Sequence, residues 1–393
     1  MPKGIETDVR FQDQWDKSKL RAQSSKVKEM FIDTFEWYLH DCSLGNMPNG
    51  AVAIGGSEEG LFRCYNIKER LWEKEYFRAV YSCLVADMND DGKNEILVCG
   101  CEKKLFVLDD NGEEIWTYPI KKWIYIVRVG DINNDGKTEI LIGSRDRMLR
   151  ALDSQGNLIW EQEFGEGHVR YIKIGDITGD KKNEIVVSTH DAFLYVLNGA
   201  TGEKLWSKEF EIEETAGLEM KKLTPIQIGD ITGDGKQEIF VGAEDGEFKI
   251  FDGIGNELFT YEFDGPVYDI YVGESQIIVG AEPKIVKDKA VEGSKSIIVF
   301  DYKFNELWSK TFDGGIYFIL KGDINGNGKK ELVLGTGFSS VVALDSDNGD
   351  EKWIYYLDNY VRALDVKDID GDGKSEILVG GRDKSLRLLK ASY

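Results

Sequence analysis

Six nine-residue segments of the chain each open with Asp and close with Glu, and they concentrate its chemistry-bearing side chains. Oxygen-bearing residues fill positions 1, 3, 5 and 9 in every copy. They are Asp87, Asn89, Asp91 and Glu95; Asp131, Asn133, Asp135 and Glu139; Asp176, Thr178, Asp180 and Glu184; Asp230, Thr232, Asp234 and Glu238; Asp323, Asn325, Asn327 and Glu331; and Asp368, Asp370, Asp372 and Glu376. Gly stands at position 6 except in the third copy, where Lys181 replaces it. This is the donor set a hard cation asks of a tight loop: alternating side chains converge on one point, Gly permits the sharp turn, and a carboxylate closes the shell. Two carboxylates about 5 Å apart repel by about 1 kcal/mol in water and by about 3 at an effective dielectric of 20, so a repeated cluster calls for a counter-charge. The chemistry expected is Ca²⁺ binding, with Mg²⁺ as the alternative ion. Turn formation by Asx hydrogen bonds, with no metal, is the competing reading. Carboxylate count, then Asn over Thr at position 3 and Gly at position 6, predicts that affinity is highest in the Asp368 loop, then falls through the Asp87 and Asp131 loops, the Asp230 loop and the Asp176 loop to the Asp323 loop.

The loops must be positioned by a repeated element. Their opening Asp residues are spaced 44, 45, 54, 93 and 45 apart, and the 93 spans two periods with one loop missing. The missing copy lies near Asp269, where the acidic loop is reduced to a tight turn. A second landmark runs in step: Trp72, Trp116, Trp160, Trp206, Phe259, Trp308 and Trp353. Between these landmarks lie four short alternating apolar segments, as in Glu139-Ile140-Leu141-Ile142-Gly143. A unit of about 45 residues with four strands is a propeller blade, because so small a sheet must stack on neighbours to bury both faces. The expected fold is an all-β β-propeller of four-stranded blades. Counting a degenerate first copy around Ala51 to Gly56 gives eight blades, with seven as the alternative.

The last copy ends without an aromatic fourth strand. Its open edge needs a partner, and the segment Val9 to Trp15 is expected to supply one. Residues 1–35 are therefore read as an N-terminal extension and 36–393 as the propeller. Residues 25–39 fit two patterns: Val27, Phe31, Phe35 and Tyr38 have helical spacing, whereas Phe35, Trp37 and Leu39 alternate as in a strand.

Composition bounds the function. In 393 residues, 49 Lys and Arg face 71 Asp and Glu, for a net charge of −22, which argues against nucleic-acid and anionic membrane partners. No apolar run approaches the roughly 18 residues that span a bilayer. The start of the chain has no apolar leader, and the five Cys read as reduced thiols, so a cytoplasmic location is expected.

The loops, each followed by an apolar strand, resemble the calcium-binding FG-GAP or VCBS repeats of integrin α-type propellers. The likeness covers about residues 36–393 and implies metal-ligand roles for positions 1, 3, 5 and 9 as named above. Two departures stand out: position 9 is Glu throughout, where those repeats often carry Asp, and the Phe-Gly element is not evident. The turn-plus-Trp segments, such as Asn198-Gly199-Ala200-Thr201-Gly202-Glu203-Lys204-Leu205-Trp206, are similar to the tryptophan-docking repeats of eight-bladed quinoprotein-like propellers.

If strand 1 is innermost, the metal loops share one face, and the strand 2 to 3 hairpins and blade connections share the other. The longest insertions, about 211–222 and 281–295, fall on that second face. Six residues before each loop Asp lie Tyr81, Tyr125, Arg170, Thr224, Tyr317 and Arg362 at the channel mouth. Tyr and Arg dominate binding hot spots, so Tyr81, Tyr125, Arg170, Tyr317 and Arg362 are expected to contact a partner, with Arg145, His190 and Arg382 nearby. The function expected is a non-catalytic, calcium-stabilised scaffold for a protein or peptide. Only three His occur, and nucleophile-base, metalloprotease and phosphate-loop motifs are absent. A quinoprotein-like or polysaccharide-acting enzyme and a glycan-binding lectin are the alternatives.

Overall fold

The computed structural model describes residues 26–76, 78–210, 223–287 and 289–392. The 45-residue period becomes eight four-stranded antiparallel sheets arranged in a closed ring. Their inner strands are Leu39–Met47, Val80–Ala86, Ile124–Gly130, Val169–Gly175, Leu223–Gly229, Val267–Gly273, Ile316–Gly322 and Val361–Lys367, here numbered blades 1 to 8. Each inner strand touches the next, and the eighth touches the first. The protein is an eight-bladed β-propeller, and no α-helix occurs among the described residues.

Burial explains the strand sequences. The second strand of a blade is covered on both faces by its neighbours, so Glu95–Gly100, Glu139–Ser144, Glu184–Thr189 and Glu376–Gly381 are buried at every position. They read as continuous apolar runs, as a strand without a wet face must. The outer strand is half wet, and Lys204–Glu209 alternates accordingly. The core is divided into eight apolar clusters, one between each pair of adjacent blades. All five cysteines are buried and free within this packing.

The outer-strand aromatics latch each blade to the next. Trp72, Trp116, Trp160, Trp206 and Trp308 each donate the indole N–H to a backbone carbonyl in the strand 3 to 4 turn of the following blade, at 2.9 to 3.3 Å. The ring lies flat on that turn's Gly. A Cβ at Gly202, whose φ is 72°, would come within 2.5 Å of Trp160. Between blades 5 and 6 the pair is rewritten: Phe259 replaces Trp, Phe304 replaces Gly, and the rings stack with centroids 4.6 Å apart.

Ring closure uses Val27–Thr34, which pairs antiparallel with Ser385–Ala391 as the outer strand of blade 8. The segment Val9 to Trp15, expected to supply this strand, lies outside the described residues. Of the two patterns available to residues 25–39, the extended one holds, with strands Val27–Thr34 and Leu39–Met47. The closing strand also docks on blade 1: Phe31 stacks on Tyr65 at 4.8 Å, Tyr65 Oη donates to Asp33 at 2.9 Å, and Arg63 donates to the Thr34 carbonyl at 2.6 Å. Blade 6 makes its inner hairpin without an acidic loop, through Glu274 and Ser275 at φ 56° and 66°, the left-handed pair of a type I′ turn. Of the two insertions, 211–222 lies outside the described residues, and the other carries a short hairpin of Ile285–Val286 and Lys289–Ala290.

Candidate metal loops and the aromatic mouth

The six acidic loops share one hydrogen-bonded frame. Position 9 Glu opens the second strand and is buried, with 0 to 6% exposure in all six copies. Its Oε2 accepts the backbone N–H of position 2, from Met88, Ile132, Ile177, Ile231, Ile324 and Ile369. Burial pushes each of these carboxyls up, and the loop's other acidic groups add to the shift. Position 1 Asp accepts the N–H of position 6, and position 5 accepts that of position 7. Positions 4 and 6 take positive φ throughout. Lys181 does so at 67° without the freedom of Gly.

Position 8 reaches back to the preceding blade. Asn94, Thr138, Asn183, Gln237 and Ser375 bond, respectively, to the carbonyl of Asn46, the Asp90 carboxylate, Asn134 with the Asp131 carbonyl, the Asp176 carbonyl and the Asp323 carbonyl. The loops are thus linked blade to blade along one face.

Part of the predicted donor set is therefore spent on Asx turns, as the competing reading required, and part is left over. Asp131 Oδ1 is buried with no hydrogen-bond partner. In blade 8, ligand atoms of Asp368, Asp370 and Glu376 lie within 4.8 Å of one another. Oxygens at positions 1, 3, 5 and 9 suit a hard divalent cation, which would neutralise any loop that no other cation fills. Blade 8 differs from the rest in one respect. The Lys390 ammonium sits among its carboxylates, 2.6 Å from Asp370, 2.8 Å from Asp372 and 2.5 Å from Glu376.

The channel is lined by charge. Asp41, Asp269 and Asp365 each accept the N–H of the next residue in their own strand, and each also accepts one from the following blade's inner strand. These second donors are Cys83 at 2.9 Å, Ile319 at 2.7 Å and Leu44 at 2.6 Å. Burial pushes Asp41 and Asp269 up to about 6, and it lowers Lys173 to about 8.

At the second face, Tyr81, Tyr125, Arg170, Tyr317 and Arg362 occupy one register position of successive inner strands. The side chain of Thr224 lies outside the described residues. Two further members escape a count back from the loop Asp, because their blades have no acidic loop: His40 in blade 1 and Tyr268 in blade 6. Matching the strands by their pairing with the second strand would have found both.

These residues touch in a chain around the mouth. Tyr268 meets Tyr317 at 4.5 Å between ring centroids, and Tyr317 meets Tyr360 at 5.9 Å. Arg382 lies over Tyr360 and Tyr38, and Arg362 over Tyr38. Tyr38 and Tyr81 flank His40, and Tyr81 meets Tyr125 at 5.6 Å. Arg170 lies 4.4 Å over Tyr125, His168 beside it, and His190 beyond. Arg145 covers Trp123 at 4.4 Å. Burial lowers His40 against the opposing hydrogen bond to Glu58, and burial with Arg145 and Arg170 lowers His168. Two buried nitrogens here, His168 Nδ1 and Arg362 Nε, have no hydrogen-bond partner.

A family model described as FG-GAP-like repeat matches residues 87–142, which hold the first two acidic loops and the blade between them. The chain is an eight-bladed propeller, and its stretch 87–142 is similar to an FG-GAP-like repeat. No curated protein matches its sequence. Solved structures match the propeller over nearly its whole length. The computationally designed Ika8 protein is 15% identical, with a TM-score of 0.70, over 92% of this chain and 99% of that one. Sqt1 of Saccharomyces cerevisiae is 13% identical, with a TM-score of 0.72, over 92% and 98%. BamB from Moraxella catarrhalis is 12% identical, with a TM-score of 0.62, over 93% and 99%. At such identities the likeness is one of fold.

Proposed function

We propose that this FG-GAP-like propeller is a non-catalytic scaffold, stabilised by Ca²⁺ in its acidic loops, that binds a protein or peptide on the opposite face in the cytoplasm. The observation that carries the binding half is the chain of aromatic and Arg side chains around the mouth. Rigid aromatic rings offer large contact area at low entropic cost, and the Arg groups among them supply directional donors. The metal half rests on the loops: donors at positions 1, 3, 5 and 9, a buried Glu, and the unpartnered Asp131 oxygen. Mg²⁺ is the alternative occupant, since resting cytosol supplies Ca²⁺ only to tight sites.

Two measurements test the reading. Chelator-stripped protein should gain thermal stability in millimolar Ca²⁺, more than in Mg²⁺, because ions that bind only the folded state stabilise it by linkage; an unmoved transition with both ions refutes the metal half. A random peptide library selected on the intact protein should lose its enriched sequences against a Tyr81→Ala, Tyr317→Ala, Arg362→Ala variant. Undiminished capture by that variant refutes the binding half.

A further inference from the structure

We propose that the recess beside Trp123 is an anchor site for an acidic peptide segment; this rests on the scaffold reading above. The recess has a volume of about 390 Å³ and is lined by Lys103, Lys122, Trp123 and Arg145. In a chain of net charge −22, three cations line one recess with an indole, and Arg145 lies over that ring at 4.4 Å. None of the three forms an ion pair among the described residues, whereas the acidic groups of the same sector are engaged. Asp146 is held by Arg150 at 2.8 Å, and Glu163 and Glu166 lie at 3.2 and 3.4 Å from Arg147. The recess joins the mouth through Trp123, which meets Tyr81 at 6.2 Å.

The three cations orient an acidic strand of peptide across the recess, with carboxylates on Lys103, Lys122 and Arg145 and an aromatic side chain against Trp123.

The test is fluorescence anisotropy of a labelled heptapeptide of Glu and Asp with a central Tyr, titrated with the full chain at low salt. Binding should weaken steeply with added salt and fall by about tenfold or more in Lys122→Glu/Arg145→Glu, whose exposed positions leave the thermal transition in place. Absence of binding, or equal binding by that variant, overturns the proposal. If a neutral heptapeptide binds as well, or binding is lost only in the Tyr81→Ala, Tyr317→Ala, Arg362→Ala variant, the scaffold reading stands and the recess assignment fails.

A different observation carries a second inference: the geometry assigns Lys390 as the built-in cation of blade 8, so that the Asp368 loop takes no divalent ion. Ile377 pairs with Leu389, which sets Lys390 beside Glu376 across the sheet. The same register position in blades 2, 3, 4, 5 and 7 holds Asp109, Asp153, Asn198, Asp252 and Asp345. Each of those accepts backbone N–H groups of its strand 3 to 4 turn. Blade 8 has no such turn, because its outer strand comes from the other end of the chain. The position is thereby released for Lys, whose ammonium pairs with three carboxylates.

Calcium counted by equilibrium dialysis of chelator-stripped protein decides it. Asp370→Asn should leave the count unchanged, and Lys390→Gln should raise it by one, from whatever number the other loops set. Loss of an ion in Asp370→Asn, or no gain in a folded Lys390→Gln protein, overturns the assignment.

Discussion

Asp41 and Asp269 are carboxylates held inside the propeller, stapling adjacent inner strands through backbone N–H groups. Burial costs the charged form more than those bonds return, so both are pushed from 3.8 up to about 6. The folded state therefore binds protons more tightly than the unfolded chain. Their contribution to stability is fully present below about pH 3.8 and is lost as pH rises through about 6. Relative to Asp41→Asn/Asp269→Asn, the native chain should gain on the order of 2 kcal/mol per group between pH 7 and pH 4. Unfolding curves over that range check this, and parallel pH profiles for the two proteins would contradict it.

The repeated latch between blades is an element whose failures are as informative as its successes. Five Trp residues find a turn carbonyl in the next blade. Trp353 of blade 7 is buried with its indole N–H unpaired, since blade 8 offers no strand 3 to 4 turn to receive it. Trp160→Phe should then cost about 1 kcal/mol more than Trp353→Phe, the worth of one hydrogen bond. Urea midpoints of the two variants measure the difference, and equal losses would show that the bond contributes nothing to the latch. At the blade 5 to 6 junction both halves of the latch differ together, with Phe259 in place of Trp and Phe304 in place of Gly, and the two rings stack.

For the whole molecule, closure depends on one strand contributed from near the start of the chain. Val27–Thr34 satisfies the edge of Ser385–Ala391 and carries Phe31 and Asp33 onto blade 1, so it joins blade 8 to blade 1 twice over. A chain beginning at Phe35 should melt about 10 °C or more below the native one. A peptide of residues 26–34 added in trans should recover part of that loss by strand addition. An unchanged transition in the shortened chain would mean that side-chain packing alone closes the ring.

Period and local chemistry were legible in the sequence because they repeat. Each blade must bury the same faces, so the 45-residue spacing, the apolar second strands, the Trp series and the acidic loops all returned in register. Eight blades followed from counting them. The mouth was legible in blades with an acidic loop and hidden in blades 1 and 6, where no Asp marks the register of His40 and Tyr268. Three things were decided only by tertiary structure: the identity of the closing strand, the recess formed where Lys103, Lys122 and Arg145 meet Trp123, and the placement of Lys390 among the carboxylates of blade 8. Each joins residues whose proximity comes from how the ring of blades is built. A sequence shows which groups recur along a chain, whereas the distances that make a cation pair with a loop, or a strand with an edge hundreds of residues away, are set by the closure of the ring.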